Sequence, residues 1–182
     1  MNLIREVAEK VARPFSEKFM ESQGLVAKNL MQFKGKIAVA FSGGKDSLVV
    51  LHLAHQLNPD ISVVFNNTGV EYPETVSYIK EMADLWNLNL VVTHPEKTFW
   101  QCVEQYGFLS SKGETGKRHK GNCCFWLKER PMKEAIKQLG LEALMTGMTA
   151  VENRNRMFIA KRYGSCYYSK TWGLQRIHPI LW

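Results

Sequence analysis

The sequence is poor in cysteine: Cys102, Cys123, Cys124 and Cys166 are the four among 182 residues. Two of them are adjacent and no CxxC pair occurs, which excludes a disulfide framework and argues against a zinc ribbon. No apolar run approaches the roughly 18 residues that a membrane-spanning helix needs. The N-terminus, MNLIREVAEKVARPF, sets charges between its apolar residues and lacks the apolar core of a secretory signal peptide. There is no internal repeat and no low-complexity segment. With 45% hydrophobic and 23% charged residues, the composition is neither disordered nor collagen-like. Together these absences read as a cytoplasmic, soluble protein of ordinary domain size with no membrane partner.

Acidic residues are scarce in the C-terminal half. The formal net charge is +7, yet residues 1–111 hold 10 Lys/Arg against 12 Asp/Glu. The excess sits in two blocks. Residues 112–133 carry seven basic residues, Lys112, Lys117, Arg118, Lys120, Lys128, Arg130 and Lys133, against two acids; residues 152–176 carry six against Glu152. Such blocks suit a polyanionic partner, either a phosphorylated small molecule or a nucleic acid, although a solvated basic surface would look alike.

The apolar pattern alternates in type. Leu3, Ile4, Val7, Val11, Phe15 and Phe19 follow helical spacing over residues 3–33, and Pro14 and Gly24 divide this stretch. KIAVAF (36–41) reads as a strand and 47–57 as a buried helix. ISVVFN (61–66) is a second strand, and a helix runs from Pro73 to about Trp86. LNLVVT (88–93) is a third strand, and 98–106 is helical. Residues 107–122 read as a loop, and 124–139 as an amphipathic helix in which Pro131 marks a first turn. ALMTGM (143–148) is a fourth strand. The last twenty residues are β-like and aromatic, with a turn at Gly173. Strands alternating with helices predict an α/β fold: a three-layer sandwich whose mostly parallel, twisted sheet carries helices on both faces. Right-handed crossovers place the loops after the strand C-termini along one edge, where such sheets bind ligands.

The first of those loops is SGGKDS, Ser42 to Ser47. Gly43 and Gly44 allow a tight turn and close approach of a ligand. The helix that follows offers free N–H groups and the positive end of its dipole. Lys45 adds a mobile charge, Ser42 and Ser47 add hydroxyls, and Asp46 can cap the helix or approach magnesium. The string is neither a Walker A loop nor a GxGxxG fingerprint. An ordinary glycine-rich turn is the plainer reading; the strand–loop–helix setting favours an anion cradle.

On these residues the chain resembles the PP-loop adenine nucleotide alpha-hydrolase superfamily, also called the ATP pyrophosphatases, and within it the phosphoadenylyl-sulfate (PAPS) reductase family. NNTGVEYPET (66–75) is similar to the family segment DTGxxxPET, with Asn67 in place of the Asp. CCFWLKERP (123–131) resembles CCxxRKVxP, with Leu127 in place of Arg. TGMTAVENRNR (146–156) resembles TGxRxxxSxxR, with Thr149 in place of the first Arg, and IHPILW resembles NPLxxW. The resemblance covers residues 36–182 and implies an N-terminal helical segment (1–34) followed by a nucleotide-binding domain (35–182).

The resemblance implies that Ser42, Gly43, Gly44, Lys45, Asp46 and Ser47 hold the phosphates or phosphosulfate of an adenine nucleotide (PAPS, adenylyl sulfate or ATP). Thr68, Gly69, Glu74 and Gly147 would border it, and Arg156 would bind an anionic group. The implied reaction reduces an activated sulfate to sulfite with a thioredoxin-like donor. The family places its nucleophilic cysteine beyond IHPILW, so the chain is expected to stop short of it and no residue here takes that role. Cys123 and Cys124 are the cluster or redox candidates. A 4Fe-4S cluster generally needs four thiolates, and without a CxxC it is not expected from this chain alone. An alternative is an ATP pyrophosphatase that activates tRNA or DNA for sulfur transfer, with Mg2+ beside Asp46 and nucleic acid on the basic blocks. A third reading is a non-catalytic nucleotide-binding module. Arg154, Lys161, Arg162 and the 117–120 run (Lys117, Arg118, His119, Lys120) are further anion candidates. His52 and His55 read as packing or surface residues, and His178 is open between binding and packing. The oligomeric state is open too, a homo-oligomer included.

Overall fold

The structure, a computed structural model, describes residues 3–108 and 122–182. The 117–120 basic run therefore lies outside the described residues.

The elements are α1 (Arg5–Val11), α2 (Phe15–Phe33), β1 (Ile37–Ala40), α3 (Lys45–Leu57), β2 (Ser62–Asn66), α4 (Pro73–Leu85), β3 (Asn89–Thr93), α5 (Phe99–Tyr106), a π-helical turn (Phe125–Glu129), α6 (Arg130–Gln138), β4 (Ala143–Met145), α7 (Arg154–Tyr163), β5 (Cys166–Ser169) and β6 (Leu174–Ile177). The six strands form one sheet in the order β3-β2-β1-β4-β6-β5. All neighbours are parallel except β5 against β6. This antiparallel pair turns at Gly173, whose φ of 68° suits glycine.

Alternation along the strands builds the two helical layers. Ile37, Val39 and Phe41 face one way, into a core with Val50, Leu51 and Ala54 of α3, Ile79 of α4 and Val26 of α2. Ala38, Val64, Leu144 and Leu174 face the other way, against Ala135 and Ile136 of α6. A sheet buried on both faces explains strands that read as continuous apolar runs. Successive connections run outward from β1 to β3, then cross back to β4 on the opposite side of β1. The strand order thus reverses between β1 and β4, which opens a crevice above their C-terminal ends.

One local expectation needs correction. Gly24 does not divide the N-terminal helices: α2 passes through it, and only Pro14 separates α1 from α2. One glycine costs a long helix only about 1 kcal/mol, and burial of Ser22, Val26 and Asn29 anchors both sides of it. The expected helical stretch over 124–139 is present, with a π-turn at Phe125–Glu129 running directly into α6 and Pro131 in the first turn of α6. The basic stretch after β4 folds as α7, capped by Asn153, whose Oδ1 accepts from the Arg156 N–H at 3.0 Å. Among the described residues, no helix is long and apolar enough to cross a membrane.

Candidate functional site

A cleft of about 670 Å3 opens at the crevice between β1 and β4. That volume suits a nucleotide-sized ligand.

One wall is the loop after β1. Gly43 has φ 75°, and a Cβ there would sit 3.1 Å from Thr75 Cγ2 and 3.2 Å from Ile79, so both conformation and space demand glycine. Ser47 holds the turn together. Its hydroxyl donates to the Gly44 carbonyl at 2.8 Å, and its oxygen accepts from the Ser42 N–H at 3.2 Å. Ser42 Oγ lies 3.2 Å from the same oxygen. These two hydroxyls brace the loop, a role their sequence context does not reveal. The N-terminus of α3 carries no side-chain cap, and Gly44, Lys45, Asp46 and Ser47 of this helix start line the cleft. Lys45 is 88% exposed and its Nζ donates to Asp46 Oδ1 at 2.7 Å.

The facing wall starts at Thr146-Gly147. Gly147 lies directly against the start of α3: a Cβ there would be 2.5 Å from the Ser47 nitrogen and 2.6 Å from the Asp46 carbonyl carbon. Here glycine is required for contact between two backbones, which locks the β4 loop onto the anion cradle.

After β2, Thr68 is buried and lines the cleft. Its N–H and Oγ1 both donate to Glu71 Oε2, at 3.0 and 2.6 Å. Asn67 Oδ1 accepts from the Gly69 N–H at 3.1 Å, closing the turn. Glu71 lines the cleft, whereas Gly69 and Glu74 do not. Glu74 sits in the first turn of α4, where its charge complements that helix's dipole. Asn66 ties the end of β2 to the π-turn, since its Nδ2 donates to the Leu127 carbonyl at 3.0 Å. That contact helps to bring Lys128 to the cleft.

Of the basic residues after β4, only Arg156 among Arg154, Arg156, Lys161 and Arg162 lines the cleft. It pairs with Glu152. Arg154 stacks on Phe158, Arg162 on Tyr163, and Lys161 reaches Glu6 at 3.6 Å.

Sequence reasoning passed over Arg176 on β6, which lines the cleft and lies over the Trp172 ring at 5.3 Å. Its Nε is buried without a hydrogen-bond partner, and burial lowers its pKa. His178 follows it and is fully buried. Its Nδ1 lies 2.7 Å from Thr146 Oγ1, and its Nε2 has no partner. Burial first, then Arg176 and Arg156, lowers its pKa to about 3. His178 is thus neutral and buried, and it does not line the cleft.

Cys123 is half-buried and Cys124 exposed, both as free thiols. Desolvation, the neighbouring Cys123 and a hydrogen bond with it raise the Cys124 pKa, so its thiol stays protonated and weakly nucleophilic. Among the described residues no three His, Cys, Asp or Glu side chains gather to hold a metal. Cys102 is buried in α5, and Cys166 Sγ accepts from Gln175 Nε2 at 3.0 Å. The described residues do not fit a four-iron cluster. Asp46 places one carboxylate on the cleft, where its Oδ1 accepts from Lys45 Nζ.

Known proteins share these features. The phosphoadenosine phosphosulfate reductase domain matches residues 36–181. The phosphoadenosine 5'-phosphosulfate reductase of Enterobacter sp. (strain 638) is 32% identical over 137 residues, covering 75% of this chain and 55% of that protein. The Klebsiella pneumoniae protein of the same name is 33% identical over 140 residues, with the same coverage. The chain thus spans about half the length of the curated relatives it matches. In fold, it is similar to the phosphoadenylyl-sulfate reductase of Candida auris in its phosphate complex, with TM-score 0.66, 18% identity, and coverage of 100% of this chain and 82% of that one. It is also similar to the U34-tRNA thiolase of Methanococcus maripaludis with its 4Fe-4S cluster, with TM-score 0.62, 15% identity, and coverage of 91% and 60%. The match over residues 36–181 and the identities above 30% place this chain in the phosphoadenosine phosphosulfate reductase domain family.

Proposed function

We propose that the cleft binds an adenine nucleotide carrying an activated sulfate, and that the chain forms the nucleotide-binding part of a PAPS reductase-like enzyme. The observation that carries this reading is the uncapped start of α3, facing a cleft that also receives Lys45, Lys128, Arg156 and Arg176. A helix N-terminus with convergent cations suits the phosphosulfate of such a nucleotide. Ser42, Gly43, Gly44, Lys45, Asp46 and Ser47 form the cradle. Gly147 holds its far side, Thr68 with Glu71 borders the nucleoside side, and Arg156 contributes charge. Gly69 and Glu74 support the β2 turn and α4 rather than contacting the nucleotide.

In the proposed reaction the bond between sulfur and the nucleotide's phosphate oxygen breaks. Sulfur takes two electrons and leaves as sulfite, and two thiols of a thioredoxin-type donor give up those electrons and close to a disulfide. The described residues bind and orient the substrate and stabilise negative charge on the departing nucleotide. The protonated Cys124 thiol is not poised for attack.

Calorimetric titration with phosphoadenylyl sulfate, adenylyl sulfate and ATP tests the binding. Tightest binding should go to a sulfated nucleotide; a folded protein that binds none of the three overturns the proposal. A second reading rests on the intact Lys45-Asp46-Ser47 sequence, in which Asp46 places Mg2+ between the phosphates of ATP for sulfur transfer to tRNA or DNA. Pyrophosphate release from ATP would favour it, and sulfite release would favour the reductase.

A further inference from the structure

The turn that carries Lys128 is built around a proline. In an α-helix the Leu127 carbonyl would accept from the N–H four residues on, and that residue is Pro131, which has none. A proline ring also crowds the carbonyl four residues before it. The chain adopts a π-turn over Phe125–Glu129, in which the Arg130 N–H donates to the Phe125 carbonyl. The Leu127 carbonyl accepts instead from a side chain at the end of β2: Asn66 Nδ2 donates to it at 3.0 Å. Asn66 is itself held. Thr93, buried on β3 and its register partner in the sheet, donates from Oγ1 to Asn66 Oδ1 at 2.6 Å. The reverse amide orientation would set Oδ1 against the Leu127 carbonyl, acceptor against acceptor, so the two contacts together fix the amide.

Lys128 follows the tethered carbonyl. Of Lys128, Arg130 and Lys133, only Lys128 lines the cleft; Arg130 pairs with Glu96 and Glu134, and Lys133 with Glu129. A π-turn holds one residue more than an α-turn, so relaxation to α geometry would swing the residues before α6 by about 100°. The Asn66 hydrogen bond ties this turn to the rigid sheet and holds its register.

We propose that Asn66, oriented by Thr93, is a positioning residue: it stands in for the N–H that Pro131 lacks and thereby fixes Lys128 toward the nucleotide. The proposal rests on the nucleotide reading above. Asn66 also lines the cleft, yet it acts through Lys128 and not by a contact of its own with the ligand. Its loss therefore matters only while Lys128 is present.

Calorimetric titration of phosphoadenylyl sulfate into the wild type, Asn66→Ala, Lys128→Ala and the double variant tests this as a mutant cycle. Lys128→Ala should lose about ten-fold in affinity, the worth of one charge-assisted contact. Asn66→Ala should lose about five-fold in the wild-type background and less than about two-fold once Lys128 is gone. Thr93→Val removes only the orienting hydroxyl and should show the same dependence on Lys128, whereas Thr93→Ser keeps the hydroxyl and should bind like the wild type. If Asn66→Ala does not fold, the Thr93→Val pair completes the same cycle. Equal losses from Asn66→Ala, or from Thr93→Val, with and without Lys128 would mark a direct contact or a general structural effect and overturn the proposal alone. Full affinity in Lys128→Ala would overturn it too. A folded wild type that binds no phosphoadenylyl sulfate would overturn the nucleotide reading, and this proposal with it.

Discussion

Lowering the pH from 7 to 5 should remove about 2 kcal/mol of stability through one side chain, His178. The ring is fully buried, and its pKa falls from an ordinary 6.5 to about 3. Burial is the largest cause, and the charges of Arg176 and Arg156 add to it. The hydrogen bonding agrees. Nδ1 is taken up by Thr146 Oγ1, and Nε2 has no partner, so a second ring proton would be a buried, unpaired cation. The sign follows from proton counts. Below pH 6.5 the unfolded chain binds a proton that the folded chain refuses until about pH 3. Stability therefore falls as pH falls through that window, by up to about 1.4 kcal/mol per pH unit. Against a typical stability of about 5–15 kcal/mol, such a loss is readily measured. Urea unfolding of the wild type and His178→Gln at pH 7, 6 and 5 isolates the effect, because both share the same carboxylate background. The stability gap between them should shrink by about 2 kcal/mol across the range. Parallel pH dependences would refute a neutral, buried His178.

Gly147→Ala should lower stability by about 1–3 kcal/mol and weaken nucleotide binding together, because its Cβ meets the α3 backbone at 2.5 Å; calorimetry and urea melts on the same samples check this. Lys45→Ala should weaken nucleotide binding about ten-fold with an unchanged melting temperature, since its side chain is exposed. Ile79→Ala should cost about 2–5 kcal/mol as a cavity beneath Gly43. A loss below about 1 kcal/mol would show that the neighbours collapse into the space.

Much of the fold was legible. β1, β2, β3 and the helices after β1 and β2 fall where continuous apolar runs meet glycine and proline punctuation. Those signals are local: a strand buried on both faces must be apolar throughout, and Pro73 presets a first turn. α7 was not legible, because only Met157 and Ala160 of its ten residues are buried, too few to set a helical period against five polar ones. Gly24 misled in the opposite direction, since burial of its neighbours outweighs a propensity of about 1 kcal/mol. Within the site, SGGKDS was singled out by type and spacing, and Gly147 by the family resemblance. Arg176 and Glu71 were not, as nothing within a few residues marks either as lining a cleft.

The sequence alone determined the alternation of strands and helices, the glycine-rich loop after the first strand and the family resemblance, because each depends on residues adjacent along the chain. The tertiary structure decided which side chains share the cleft. The reversal of strand order beside β1 brings β4 and β6 to that crevice from more than a hundred residues away. It also decided protonation: burial holds His178 neutral and lowers the Arg176 pKa. Desolvation belongs to the assembled core, and a linear pattern does not contain it.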